Sequence, residues 1–130
     1  MFDTMEKEII YGQIIAKANH YLAVPDKDEQ RRIIKDEVIR EYERTFVEQC
    51  RIYKDRRISG RFTLIVDVFY KSARYDLDNS IKTLLDCLQM VNAITNDNLC
   101  FNLIANKYID AHCPRVEFCI KENNAQGSLF

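Results

Sequence analysis

The sequence has no Cys-x-x-Cys pair, no internal repeat, no low-complexity stretch and no excess of either charge. Each absence excludes something. Five cysteines (Cys50, Cys87, Cys100, Cys113, Cys119) are an odd set without metal-ligand spacing, which argues against a zinc site and a disulfide framework. Reduced, mostly buried thiols are expected instead. His112-Cys113 beside Pro114 reads as a turn rather than a ligand pair. No apolar run approaches the ~20 residues of a spanning helix. The opening Met1-Phe2-Asp3-Thr4-Met5-Glu6 lacks a basic-then-apolar signal. A cytosolic protein with no membrane contact is the expectation. The net charge of −1 and pI near 6.1 depart from the basic balance of most nucleic-acid binders.

What is present is enough for one domain. The 130 residues are 47% hydrophobic, which suits a single core over 1–130 with a frayed tail from about residue 122. Positive charge is concentrated: Arg51, Lys54, Arg56, Arg57 and Arg61 lie within eleven residues that include one acid, Asp55. Such a run reads either as a solvated loop or as a place for backbone phosphates.

Hydrophobic periodicity predicts the elements. Residues 9–15 read as a β-branched first strand with Gly12 as a possible bulge. Asn19-His20-Tyr21 opens a loop running through Pro25-Asp26, where His20 either touches a phosphate or makes a structural hydrogen bond. Residues 28–50 read as an amphipathic helix, with Ile34, Val38, Tyr42 and Phe46 four apart. Residues 62–70 alternate, and the second face is half apolar, so this strand is predicted to be central. Residues 71–75 form a polar loop in which Lys71 and Arg74 can meet a phosphate. Residues 99–109 read as a strand with Phe101 and Leu103 inward and Lys107 on the same alternation. A turn at residues 110–114 leads to an alternating strand, residues 115–120. The sum is an α+β two-layer domain, a small mixed sheet of about four strands packed against two main helices.

Chemistry concentrates in Asp76-Leu77-Asp78-Asn79-Ser80-Ile81-Lys82, with Asp97 further on. Ile81, Leu84, Leu85 and Leu88 mark the buried face of a helix. Asp78 or Asn79 stands where an N-cap is expected. Lys82 is four residues from both Asp78 and Asp86, so it can reach back to the helix mouth. In an extended chain Asp76 and Asp78 face one point. Clustered carboxylates repel unless a cation joins them, and hard oxygen ligands favour Mg²⁺ or Mn²⁺. Such ions serve phosphate chemistry, where Lys82 could steady developing negative charge. Asp67 could join the acidic site or remain an exposed or capped residue. On spacing alone, a cap and a turn are the more economical reading of Asp-x-Asp-Asn.

The order Asp76-Leu77-Asp78-Asn79, Lys82, Asp86, then Asn96-Asp97, then Lys107 resembles the RusA-type Holliday junction resolvases. That family carries Asp-x-Asp-Asn-x-x-Lys-x-x-x-Asp, an Asp-Asp pair and a later lysine. The resemblance spans residues 62–120, roughly half the chain, and extends loosely to Ala18-Asn19-His20-Tyr21. It implies a Mg²⁺-dependent endodeoxyribonuclease, with Mn²⁺ able to substitute. The enzyme would act as a homodimer on four-way DNA junctions in recombination and repair. Asp76, Asp78 and Asp97 would be the metal-holding catalytic carboxylates and Lys82 the catalytic lysine. DNA contacts would fall to Arg56, Arg57, Arg61, Lys71, Arg74, Asn79, Lys107, Asn19 and His20. Two departures stand out. Asn96 replaces the first aspartate of the family's pair, and Ile15-Ala16-Lys17-Ala18 replaces a proline-rich opening. The rival readings are a non-catalytic DNA-binding or interaction module of the same fold and a metal-dependent hydrolase of small nucleotides.

Overall fold

The computed structural model describes residues 6–17, 21–25, 31–35 and 37–123, the 21–25 and 31–35 segments by backbone alone. The domain is α+β. Strands β1 (Glu8–Tyr11), β4 (Phe62–Tyr70), β5 (Cys100–Ile109) and β6 (Arg115–Glu122) form one mixed sheet in the order β1-β6-β4-β5. Strands β2 (Tyr21–Pro25) and β3 (Arg31–Lys35) pair antiparallel as a separate hairpin. Helix α1 (Glu37–Gln49) and helix α2 (Leu77–Met90) complete the described elements.

β4 is central, as its two-faced apolar pattern predicts. It pairs antiparallel with β6 and parallel with β5. Its inward residues Phe62, Leu64, Val66, Val68 and Tyr70 are all buried. β6 adds Val116, Phe118 and Ile120, and β1 adds Ile10. The helices close this face with Tyr42 and Phe46 of α1 and with Ile81, Leu84, Cys87 and Leu88 of α2. Phe118 stacks on Phe46 and leans on Tyr53, with ring centroids 6.3 and 5.7 Å away.

Several expectations need correction. The helix predicted over residues 28–50 begins at Glu37, and part of its predicted first half is strand β3. The buried stripe of α1 is Ile39, Tyr42 and Phe46, whereas Val38 is 44% exposed. A four-residue spacing from Ile34 merged two elements into one pattern. The first strand stops at Tyr11, because Gly12 turns the chain at φ 111 and donates its N–H to the Pro114 carbonyl. On β5, Phe101 and Leu103 are exposed rather than inward. Leu103 does lie on the inward side, level with Leu64, but this strand is the sheet's edge.

A buried carboxylate ties the basic segment to the core. Glu8 is 4% exposed and accepts the backbone N–H groups of Arg51, Ile52 and Tyr53 at 3.1, 2.8 and 3.1 Å. The Cys50 thiol also donates to it, and burial followed by the Glu8 charge pushes that thiol up to about 12. Further along, Asp55, Arg57 and Ile58 donate to the carbonyls of Val91, Asn92 and Ala93. Residues 51–61 are thereby stitched to the C-terminal end of α2.

If β4 is the centre of this core, truncating Val66 to Ala lowers stability by about 1–3 kcal/mol through lost burial and a small cavity. Urea unfolding reads this directly, and a change near zero contradicts the central placement.

Candidate active site

The acidic stretch lies where β4 hands the chain to α2. Asp76, not Asp78 or Asn79, is the N-cap residue, with extended backbone at φ −97 and ψ 128. Its side chain makes no capping bond, so both carboxylate oxygens are uncommitted to the helix. Asp78 sits in the first turn and accepts the Asn79 N–H on one oxygen at 2.9 Å. Its acidic side chain suits the positive end of the helix dipole. Asp76, Asp78 and Lys82 are exposed, and Asn79 is half-buried.

Tyr70 organises this mouth from below. Its hydroxyl donates to Ser80 Oγ at 2.6 Å, and Ser80 Oγ donates to the Asp76 carbonyl at 3.3 Å. Its ring stacks on Tyr75 at 5.5 Å. Burial first, and then the charges of Asp76 and Asp78, hold the Tyr70 hydroxyl above its usual range. The sequence signal for this role was weak, since Tyr70 and Ser80 look like ordinary strand and helix residues.

Cations surround the same mouth. Lys107 lies level with Val68 on β5, and its ammonium donates to the Ala73 and Tyr75 carbonyls of the connecting loop. It also lies over the Tyr70 ring. Arg74 stands 5.4 Å over the Tyr75 ring, and Lys71 is exposed at the loop's start. Lys82 forms no ion pair among the described residues and remains available to an incoming anion. Asp86 turns elsewhere, 3.9 Å from the Lys17 ammonium, which also bonds Glu43 at 2.9 Å. That pairing reads as structural.

Asp97 is not at this mouth. Because β4 and β5 run parallel, α2 must run back between them, and its 14 residues span about 20 Å. Asp97 opens the short 3-10 turn Asp97–Leu99 at the far end, just before Cys100, which pairs with Phe62 at the start of β4. Its N–H is accepted by the Gln89 side chain in the last turn of α2. The Cys100 thiol is raised by burial and then by the Asp97 charge. Asn96 caps this turn by accepting the Asn98 N–H at 2.9 Å, a role that Asp and Asn fill alike.

The basic segment belongs to the Asp97 end. Arg51, Lys54, Arg56, Arg57 and Arg61 are all exposed. Arg56 pairs with Glu6 at 2.5 Å, and Arg61 lies 4.6 Å over the Phe101 ring. Arg57 holds left-handed backbone at φ 53. Asp67 lies on the opposite sheet face and accepts from Asn106 at 3.1 Å, outside the acidic mouth. His112 is exposed in the turn after β5, where its N–H and that of Cys113 bond the Asp110 carboxylate. Asn19 and His20 lie outside the described residues.

One carboxylate without a capping bond, Asp76, and a second with one oxygen bonded to a backbone N–H, Asp78, fit a hard divalent ion, which is held by few carboxylates and keeps several waters. Among the described residues, no three His, Cys, Asp or Glu side chains gather closely enough to hold a metal. No described helix is long and apolar enough to cross a membrane.

Residues 4–121 match the family described as endodeoxyribonuclease RusA. No curated protein matches the chain significantly.

The Tyr70 hydroxyl is the mouth's structural pin. Tyr70→Phe is expected to lower stability by about 1–2 kcal/mol, the cost of a buried hydrogen bond and an orphaned partner. Hydrogen exchange should quicken at the first turn of α2. Unchanged exchange there would show that Ser80 and Asp76 are held by other means.

Proposed function

The chain belongs to the endodeoxyribonuclease RusA family, and from that premise we propose that it is a divalent-metal-dependent nuclease that resolves four-way DNA junctions as a homodimer. The observation that carries this reading is that the exposed carboxylates of Asp76 and Asp78 stand at the N-terminal end of α2, where Asp76 makes no capping bond, with the exposed Lys82 one turn further on and Lys107 tied to the loop that leads there. Carboxylates for a cation and lysines for a phosphate stand together there.

In this reading Asp76 and Asp78 hold Mg²⁺, or Mn²⁺ in its place. The third carboxylate is Asp97 of the partner subunit, since a chain's own Asp97 lies at the other end of α2. The bound ion would supply neutralisation of the phosphate and a lowered pKa for the attacking water. Lys82, one turn from Asp78 and unpaired among the described residues, steadies the negative charge that develops on the phosphate oxygens. Lys71, Arg74 and Asn79 position the scissile strand. Lys107 acts through the loop it ties down. Arg56, Arg57 and Arg61 take more distant phosphates, where affinity should fall steeply with salt. Junction resolution needs two symmetric cuts, and a twofold dimer provides two equivalent sites. The setting is DNA recombination and repair in the cytosol.

The Asn96 departure does not favour the non-catalytic alternative. Asn96 works as a turn cap and leaves Asp97 its carboxylate.

The test is Mg²⁺-dependent cleavage of a synthetic four-way junction beside a linear duplex. Asp78→Asn preserves shape while removing charge. Its cleavage rate is expected to fall on the order of 100-fold or more, the several kcal/mol that a metal-held charge contributes. Junction binding should survive or strengthen as backbone repulsion falls. Full cleavage by the variant would overturn the assignment of Asp78.

A further inference from the structure

We propose that Gln89 is the positioning residue for Asp97, fixing through its side-chain carbonyl the backbone from which that carboxylate projects. This rests on the reading that Asp97 supplies a carboxylate to the bound ion, and it adds a residue that acts through Asp97 rather than on the ion itself.

Asp97 is exposed and opens a turn of three residues, so burial does little to hold it still. Most bonds around the turn hold its neighbours. On the entering side the Thr95 N–H and hydroxyl both donate to the Ile58 carbonyl, at 3.0 and 3.3 Å. Within the turn, the Asn98 and Leu99 N–H groups donate to the Asn96 side chain and carbonyl. On the leaving side the Cys100 N–H donates to the Asp97 carbonyl. The Asp97 N–H goes to the Gln89 side chain, the one hydrogen bond among the described residues that joins this turn to α2.

Gln89 is a rigid post for that bond. It lies in the last turn of α2, one residue after the fully buried Leu88. Its own backbone carbonyl accepts the Asn92 N–H at 3.0 Å, where Asn92 closes the helix in left-handed backbone at φ 61. Within the amide only the oxygen can accept an N–H, so Oε1 is turned to Asp97 and the amide's own N–H groups take no part in the bond. A ligand held from a rigid element by a supporting hydrogen bond keeps its geometry better than one held by a loop alone.

The side-chain chemistry suits a carboxylate meant for a cation. An amide carbonyl accepts the N–H without bringing a charge. A lysine or arginine at this position could not accept it and would compete with the ion for Asp97. An apolar residue would leave the N–H to water and the Asp97 backbone free to turn. Supports of this kind typically change metal affinity or activity by about 10–100-fold when removed.

The experiment follows single-amide hydrogen exchange in metal-free protein, junction binding without metal, and junction cleavage against Mg²⁺ concentration. In Gln89→Met, which keeps side-chain length and helix propensity, the Asp97 amide should lose its protection while the Leu99 amide keeps most of its own. The Mg²⁺ concentration for half-maximal cleavage should rise about tenfold, and the rate should recover at saturating Mg²⁺. Metal-free junction binding should not move. Gln89→Glu keeps the acceptor, so Asp97 protection should hold and the Mg²⁺ requirement should stay at or below that of the wild type. A bond that serves the fold alone would leave the requirement unmoved in Gln89→Met, and that result overturns the proposal. So does a Gln89→Glu protein that protects Asp97 yet needs as much Mg²⁺ as Gln89→Met. So does a wild-type Asp97 amide that exchanges as freely as an unbonded one, a result that needs no variant to fold. Asp97→Asn keeps the N–H and its bond but removes the charge. Full cleavage by Asp97→Asn would sink the reading of Asp97 as an ion ligand, and the positioning role with it. An inactive Asp97→Asn beside an unmoved Gln89→Met sinks the positioning role alone.

Discussion

The parallel pairing of β4 with β5 is the constraint on which the rest depends. Parallel neighbours need a crossover, and α2 supplies it on the helical face of the sheet. The crossover fixes two ends. At one, β4 releases the chain through residues 71–75 into Asp76 and Asp78. At the other, α2 releases it through Asn92 and Asn96 into Asp97. Leu84, Cys87 and Leu88 lock the helix between these ends, all fully buried. No local rearrangement brings Asp97 to Asp76 without dismantling that packing.

Charge follows the same division. Lys71, Arg74, Lys82 and Lys107 gather at the Asp76 end, and residues 51–61 gather at the Asp97 end. A near-neutral chain with a pI of about 6.1 can still present cations to a phosphate backbone. Several of its acids are committed internally. Glu8 is consumed by three backbone donors, Glu43 by Lys17, Glu117 by Lys7 and Arg115, and Asp110 by Arg115. Three of these acids are matched by the cations Lys7, Lys17 and Arg115, so it is Glu8 and the separation of the exposed charges along the chain, not the ion pairs, that leave cations at both ends.

The sequence made some of this legible. The two-faced apolar pattern of residues 62–70 identified the central strand, since only a strand flanked on both edges and packed below keeps that composition. The i, i+3, i+4, i+7 leucines located α2. The cap was missed by two or three residues because Asp76, Asp78 and Asn79 are all competent caps, and the Tyr70 and Ser80 hydroxyls that hold the Asp76 carbonyl leave no mark in the local pattern. The β2–β3 hairpin was missed because Ile34 continues the four-residue spacing of α1. Phe101 and Leu103 were read as inward because alternation reports which face a residue takes, not whether anything covers that face. The site was half visible. Asp76 and Asp78 are close in sequence, and both stand at the start of α2. Asp97 shares a motif with them but stands a helix-length away, and linear spacing carries no information about a second copy.

The central claim is that each acidic site draws carboxylates from two chains. Mixing two inactive variants tests it most directly. Asp78→Asn and Asp97→Asn are each expected to be inactive alone. Refolded together, a mixed dimer holds one site with Asp76 and Asp78 from one chain and Asp97 from the other, all intact. The account predicts that the mixture regains Mg²⁺-dependent nicking of one strand of a four-way junction, while neither variant alone nicks it. If the mixture stays inactive under conditions where mixed wild-type and tagged chains demonstrably exchange, the three aspartates do not form a site across two chains.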